Sequence, residues 1–254
     1  MIFKRLDALL LVAVGLWCFL TALAGGLVGL VLGNIRLPVL VLAASSPAAG
    51  AGANIGVSAV AALASAVSHV RAGRIDWHLF LWMAPPSMVG AVVGGLLSGV
   101  VPENALLVAI GVTLLAFGVD LLRPKPGSQQ TASGGVSARA AIVAGALIGL
   151  LGGFVGLILG ALRLPALLRF VGADPFRAVG TNAAVGFCLG VAGVFGHLSG
   201  GVDWTLLGVG AATSVPGAIL GARLTGRLDE RQLFRAVGLI LLIAGTAMIL
   251  QGAL

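Results

Sequence analysis

The stretch GGLVGLVLGNIRLP, Gly25 to Pro38, decides how this chain is read. It is apolar enough for a membrane helix, yet glycine recurs every fourth residue at Gly25, Gly29 and Gly33, and Arg36 and Pro38 follow. Glycine weakens helices, proline ends them and arginine resists lipid. The combination needs a reason, and the rest of the chain supplies one.

Sliding the sequence along itself until Thr21 meets Ile148 lays TALAGGLVGLVLGNIRLP over IGLLGGFVGLILGALRLP (Ile148–Pro165), with 11 of 18 positions identical. The match pairs Gly25, Gly29 and Gly33 with Gly152, Gly156 and Gly160, Arg36 with Arg163, and Pro38 with Pro165. After one inserted residue, Gly52-Ala53-Asn54 meets Gly180-Thr181-Asn182, and His69 meets His197. Asp76-Trp77 then meets Asp203-Trp204 at the original offset. Self-similarity in the same order over most of a chain, with only a one-residue shift, marks a duplicated architecture.

Composition places that duplication in a membrane. Of 254 residues, 59% are hydrophobic and 9% charged, whereas soluble domains carry about 25% charged residues. Apolar runs of about 20 residues, the length a bilayer core requires, recur throughout. Forty glycines suit closely packed membrane helices. The net charge of +7 is spread singly or in pairs between apolar segments, which fits membrane topology and headgroup contact and argues against nucleic-acid binding. Cys18 and Cys188 lie in apolar runs without metal or redox spacing, so both read as small, inert core residues.

The start of the chain, with Lys4 and Arg5 before an apolar run ending Ala22-Leu23-Ala24, has the features of a cleavable signal. Cleavage there would remove the helix leading into Gly25, and the second copy has such a helix from about Arg139. The first segment is therefore expected to be retained.

The expected fold is an all-α polytopic membrane protein of two homologous four-helix halves, about eight transmembrane helices. Residues 1–122 form the first repeat, 123–138 a polar linker and 139–254 the second. Spans are expected near 8–33, 50–70, 78–100 and 104–122, then 139–160, 177–198, 205–226 and 232–252. The short runs 37–44 and 164–171 cannot cross a core about 30 Å thick at ~1.5 Å per residue, so each is a re-entrant or broken segment. Eight crossings make the halves parallel and ten make them inverted; the Lys and Arg distribution fits neither fully, and eight is the expected number.

Four sets of paired residues offer chemistry. The glycine ladders read as close-packing faces, with Pro38 and Pro165 breaking the helix. Arg36 and Arg163 either snorkel to headgroups or bracket an anion between paired guanidiniums. Asn54, Thr181 and Asn182, near helix starts, either cap and cross-link helices or hold an oxyanion at a helix N-terminus. His69 and His197 are interfacial histidines or carriers of a coupling proton. Asp76 and Asp203 read as helix caps beside tryptophan anchors. Nothing has nucleophile–base, zinc-protease or P-loop spacing, and acids are too few for a metal cage. No enzyme, no metal and no cofactor is expected.

These motifs, GGLVGLVLGNIRLP and GGFVGLILGALRLP, GTNAAVGF at Gly180–Phe187 and GGVDW after a histidine-bearing helix end, resemble the sulfite exporter TauE/SafE family of bacterial membrane permeases. The resemblance covers about Val12 to Leu250. It implies about eight membrane segments in two halves, in the bacterial cytoplasmic (inner) membrane, and movement of small sulfur-containing anions such as sulfite or sulfoacetate. The resulting expectation is a secondary transporter, working in export by alternating access around Arg36, Arg163, Asn54, Thr181 and Asn182. Its partners are the anion, the bilayer and a coupling proton or sodium ion, with a homodimer as the alternative to a monomer. An anion channel would use the same donors without counterflow. A membrane scaffold or accessory subunit would use only the glycine faces and would gain no stability from ligand.

Overall fold

In the computed structural model the described residues are 2–96, 102–123, 137–155, 158–197 and 201–253, and all their regular structure is helical. The long apolar runs become α1 (Ile2–Val28), α3 (Pro47–Arg71), α4 (Trp77–Leu96), α5 (Glu103–Leu122), α6 (Ala138–Val155), α8 (Pro175–His197), α9 (Trp204–Thr225) and α10 (Glu230–Ala253). Two short elements follow the glycine-rich segments: α2 (Gly33–Ala43), and α7 (Gly160–Ala166) continued by a π turn at Leu167–Val171. Five helices are long and apolar enough to span a bilayer: Ala8–Val28, Ala49–Arg71, Pro175–Val194, Trp204–Thr225 and Glu230–Ala253. Gly33–Ala43, Leu107–Leu122 and Ala138–Gly152 are shorter apolar stretches. Length and composition thus support a polytopic membrane protein, with five clear spans where eight are expected. The linker expected at 123–138 lies mostly outside the described residues.

The distribution of side chains is that of a protein solvated by lipid. Leu9, Val12, Leu16, Leu239, Ile243 and Leu250 are all more than half exposed. Arg36, Asn54, His69, Arg163, Thr181 and Asn182 are buried. Water would favour the reverse arrangement, whereas hydrocarbon demands that polar groups turn inward.

Helix termini follow their local sequence. Ser46 caps α3, accepting from the Ala49 amide at 3.1 Å. Asp76 Oδ1 accepts from Leu79 N at 3.0 Å and Asp203 Oδ1 from Leu206 N at 3.1 Å, so the first turns of α4 and α9 are closed the same way. Trp77 and Trp204, the next residues, are 54% and 67% exposed, as interfacial anchors should be.

Backbone-to-backbone seams hold the helices together. α1 packs on α9, α4 on α6, α5 on α10 and α3 on α8. A Cβ at Gly217 would strike the Phe19 carbonyl, one at Gly221 the Leu23 carbonyl, and one at Gly90 the Ala146 carbonyl. Bare glycine backbone is what permits these approaches.

Two expectations are corrected. Pro38 and Pro165 do not break the helices; both sit inside short ones, α2 and α7. The first break lies upstream, between Val28 and Gly33, where Gly29 takes φ +66 and the Leu30 amide turns back to the Gly25 carbonyl at 2.8 Å. Pro38 has no N–H to offer the Asn34 carbonyl one turn back, and Gln251 Nε2 donates to that carbonyl at 2.9 Å instead. The second correction follows from the first. Gly25, Gly29 and Gly33 do not share one helical face, because Gly25 lies in α1, Gly29 at the break and Gly33 at the start of α2. In the second copy Gly152 lies in α6 and Gly160 opens α7. Gly156 lies outside the described residues.

Candidate functional site

The short helices carry the arginines into the interior. Arg36, on α2, is 2% exposed and Arg163, on α7, is fully buried, so neither snorkels to headgroups. Each meets the asparagine of the long helix that follows. Arg36 Nε donates to Asn54 Oδ1 at 3.0 Å, while its Nη2 donates to the Asn54 carbonyl at 3.3 Å and to Ser58 Oγ at 2.5 Å. Arg163 Nη1 donates to Asn182 Oδ1 at 3.2 Å, and its Nε and Nη2 have no partner among the described residues. Among those residues no carboxylate pairs with either guanidinium.

The asparagines also tie off the breaks. Asn54 Nδ2 donates to the Gly33 carbonyl at 3.1 Å, and Asn182 Nδ2 to the Gly160 carbonyl, also at 3.1 Å. Asn182 Nδ2 reaches further, to the Gly29 carbonyl at 2.7 Å. A residue of α8 therefore satisfies a carbonyl freed by the break after α1. Unwound backbone is tolerated at membrane depth only where such partners exist. The two broken regions adjoin, since a Cβ at Gly160 would lie 3.5 Å from the Val31 amide.

The N-termini of α3 and α8 are not the donors here. Asn54 and Asn182 lie well inside α3 (from Pro47) and α8 (from Pro175), where backbone amides are already in use. Their side chains do the holding. Thr181 is turned away from Arg163, and its hydroxyl accepts from the Asp76 amide at 3.0 Å, tying α8 to the α3–α4 connection.

His69, at the end of α3, is fully buried with Nε2 3.4 Å from the Gly26 carbonyl and Nδ1 unpartnered among the described residues. The Thr225 hydroxyl donates to the Leu27 carbonyl at 2.7 Å, so the end of α1 is held from two sides. The side chain of His197 lies outside the described residues. A cavity of about 10 Å³, room for about one water, lies beside the first break, lined in part by Thr21, Arg36, Ser65 and Ala183. Free Cys18 packs in the α1–α9 region, where the Ser214 hydroxyl donates to its carbonyl at 3.3 Å.

Sequence reasoning missed Ser58, although it lies four residues after Asn54 and so on the same helical face. It also missed the link from Asn182 to Gly29, which only the packing of α8 against the first break creates.

Buried cations at helix breaks inside a lipid-solvated helical body define a multi-pass membrane protein with a polar centre. Residues 14–248 match the family model described as sulfite exporter TauE/SafE, and the chain belongs to that family: it is a membrane transporter, not an enzyme. It is 24% identical to the probable membrane transporter protein YunE of Bacillus subtilis, over 96% of this chain and 97% of that one. A probable membrane transporter protein of Haemophilus influenzae is 26% identical, over 79% of this chain and 80% of its own. No solved structure matches.

Proposed function

We propose that the protein is a secondary transporter that exports small sulfur-containing anions, sulfite or organosulfonates such as sulfoacetate, by alternating access between its two homologous halves. The observation that carries this reading is the pair of buried guanidiniums without carboxylate partners among the described residues. A charge inside an apolar body is costly unless something compensates it, and a transported anion does so transiently. A family model described as a sulfite exporter supplies the sulfur chemistry.

Two further observations support alternation. The packing is reciprocal: the first helix of each half lies on the fourth of the other, α1 on α9 and α6 on α4. The cavity beside Arg36 has room for about one water, far short of an open pore. In this reading Arg163 and Asn182 hold the anion, Arg36 and Asn54 form the matching centre, and Thr181 positions α8. His69, buried with Nδ1 unpartnered among the described residues, is the group for proton coupling; no comparable observation favours sodium.

Counterflow in liposomes tests the proposal. Internal unlabelled sulfite should accelerate uptake of labelled sulfite, and Arg163→Gln should reduce the rate at least a hundredfold with the protein still folded. Labelled sulfite entering loaded and empty liposomes at one rate would point to a channel. Unchanged counterflow in the Arg163→Gln protein would remove the assigned site.

A further inference from the structure

The two arginine centres use different edges of the guanidinium. Nε and Nη2 form one side of the arginine fork and can grip two oxygens of one anion. In the first half protein fills that side: Asn54 Oδ1 takes Nε, while the Asn54 carbonyl and the Ser58 hydroxyl take Nη2. In the second half Asn182 is bonded through Nη1, and the Nε–Nη2 side is left without partners among the described residues although Arg163 is fully buried.

One position accounts for much of the contrast. Four residues beyond Asn54 stands Ser58, and four beyond Asn182 stands Gly186. The hydroxyl present in α3 has no equivalent in α8. In the first half Ser58 Oγ lies against Gly33; in the second, the Val31 amide of the opposite break lies near Gly160 and a Val31 methyl lies against Gly186. An apolar side chain covers the place where the other centre has an acceptor.

The geometry points to an asymmetric transport site: one oxyanion binds through two of its oxygens to Nε and Nη2 of Arg163, in the place Gly186 keeps free of an internal acceptor, with Val31 as its removable cover. Arg36 is then a structural lock, its fork closed permanently by Asn54 and Ser58. The inference rests on the transport reading and adds to it the atoms through which the Arg163 centre binds, the purely structural role of Arg36, and the ligand shape accepted. Two oxygens on one central atom give each N–H of the fork its own acceptor; a monatomic halide must share one acceptor between both and is held more weakly.

Gly186→Ser tests it by supplying Arg163 with its own hydroxyl. A Cβ there would lie 2.9 Å from a Val31 methyl, so the variant is also made together with Val31→Ala, which clears that contact. Thermal unfolding of the full chain in detergent is read at constant ionic strength with sodium sulfite, sodium methanesulfonate or sodium chloride. Sulfite and methanesulfonate should stabilise the wild type, and chloride should not. The Val31→Ala/Gly186→Ser protein should lose at least tenfold in sulfite affinity, Val31→Ala alone should not, and Ser58→Gly should retain binding. Arg163→Lys, which keeps the charge but offers one nitrogen, should lose at least as much and provides the test should the serine variants not fold.

Full sulfite affinity in the folded double variant or in Arg163→Lys would overturn the fork assignment while leaving the transport reading intact. Chloride stabilising the wild type as well as sulfite does would also overturn it. No stabilisation by any anion, with no counterflow, would remove both.

Discussion

The seams between helices and the arginine centres treat the two halves of the chain in opposite ways. At the seams the halves correspond. Gly217 faces the Phe19 carbonyl, and Gly90 faces the Ala146 carbonyl. Gly90 aligns with Gly217 and Phe19 with Ala146 when the sequence is laid over itself, so one contact is the other with the aligned positions exchanged. At the centres they diverge, with Asn54 and Ser58 around Arg36 but Asn182 alone on Arg163. A backbone-to-backbone contact admits only a glycine, so the seam has one solution and both halves use it. A hydrogen-bonding set can change one member at a time, provided each buried group finds a partner in the protein or in a ligand.

The largest effect is expected where the two kinds of region meet. Gly29 combines φ +66 with a position from which a Cβ would strike the Val179 carbonyl, and its own carbonyl accepts from Asn182. Gly29→Ala should therefore cost well over the about 1–2 kcal/mol of a left-handed alanine and prevent recovery of folded protein in detergent. Gly73 isolates the conformational part, with φ +65 and nothing within 4 Å. Gly73→Ala should lower the unfolding midpoint only modestly. Equal effects at the two glycines would show that the break is not closely packed.

Ser58→Ala should come next. It removes one of the two acceptors on Arg36 Nη2 and leaves the Asn54 carbonyl. Loss of one partner from a buried charged donor costs about 1–3 kcal/mol, read as a lower unfolding midpoint with sulfite-dependent stabilisation retained. A midpoint equal to wild type would dissolve the contrast between the centres, because Arg36 would then be no better satisfied than Arg163.

The long helices were legible in the sequence because an apolar run of membrane length has few alternatives. The breaks were misplaced because proline is the stronger local signal, while tertiary structure decides what a proline costs. Pro38 stays helical where Gln251, far along the chain at the end of α10, serves the carbonyl it cannot. The pairing of Arg36 with Asn54 was half visible as repeated residues in repeated order. That the two arginines bond through different nitrogens was not visible, since it is settled by side-chain geometry that repeated residues in repeated order do not encode.

The helix caps extend the comparison to a third kind of contact, one in which the halves agree. Asp76 and Asp203 each accept from the amide three residues on, at 3.0 and 3.1 Å. Replacing either by alanine should cost about 1 kcal/mol, and the two unfolding midpoints should fall together. Asp76 also lends its amide to Thr181, but alanine keeps that amide, so the link is no ground for a difference. A much larger loss at one corner would place the asymmetry of the centres in the scaffold as well.

The smallest effect is expected at Asp120, where the halves differ without consequence for the centre. Asp120 Oδ2 lies 2.6 Å from Arg169 Nη2, linking the end of α5 to the π turn, and both side chains are partly exposed. In the aligned copies Asp120 falls on Ala247 and Arg169 in the uncharged run 39–46, so this pair belongs to one half alone. Partly exposed ion pairs contribute about 0–1 kcal/mol, and the Phe117–Phe170 edge contact beside it, with ring centroids 6.2 Å apart, remains in place. Asp120→Asn should shift the unfolding midpoint slightly and leave sulfite-dependent stabilisation unchanged. A change in anion response would mean that the π turn at Leu167–Val171 transmits to Arg163, just before it in the chain, and that the asymmetry of the binding centre begins at the end of α5.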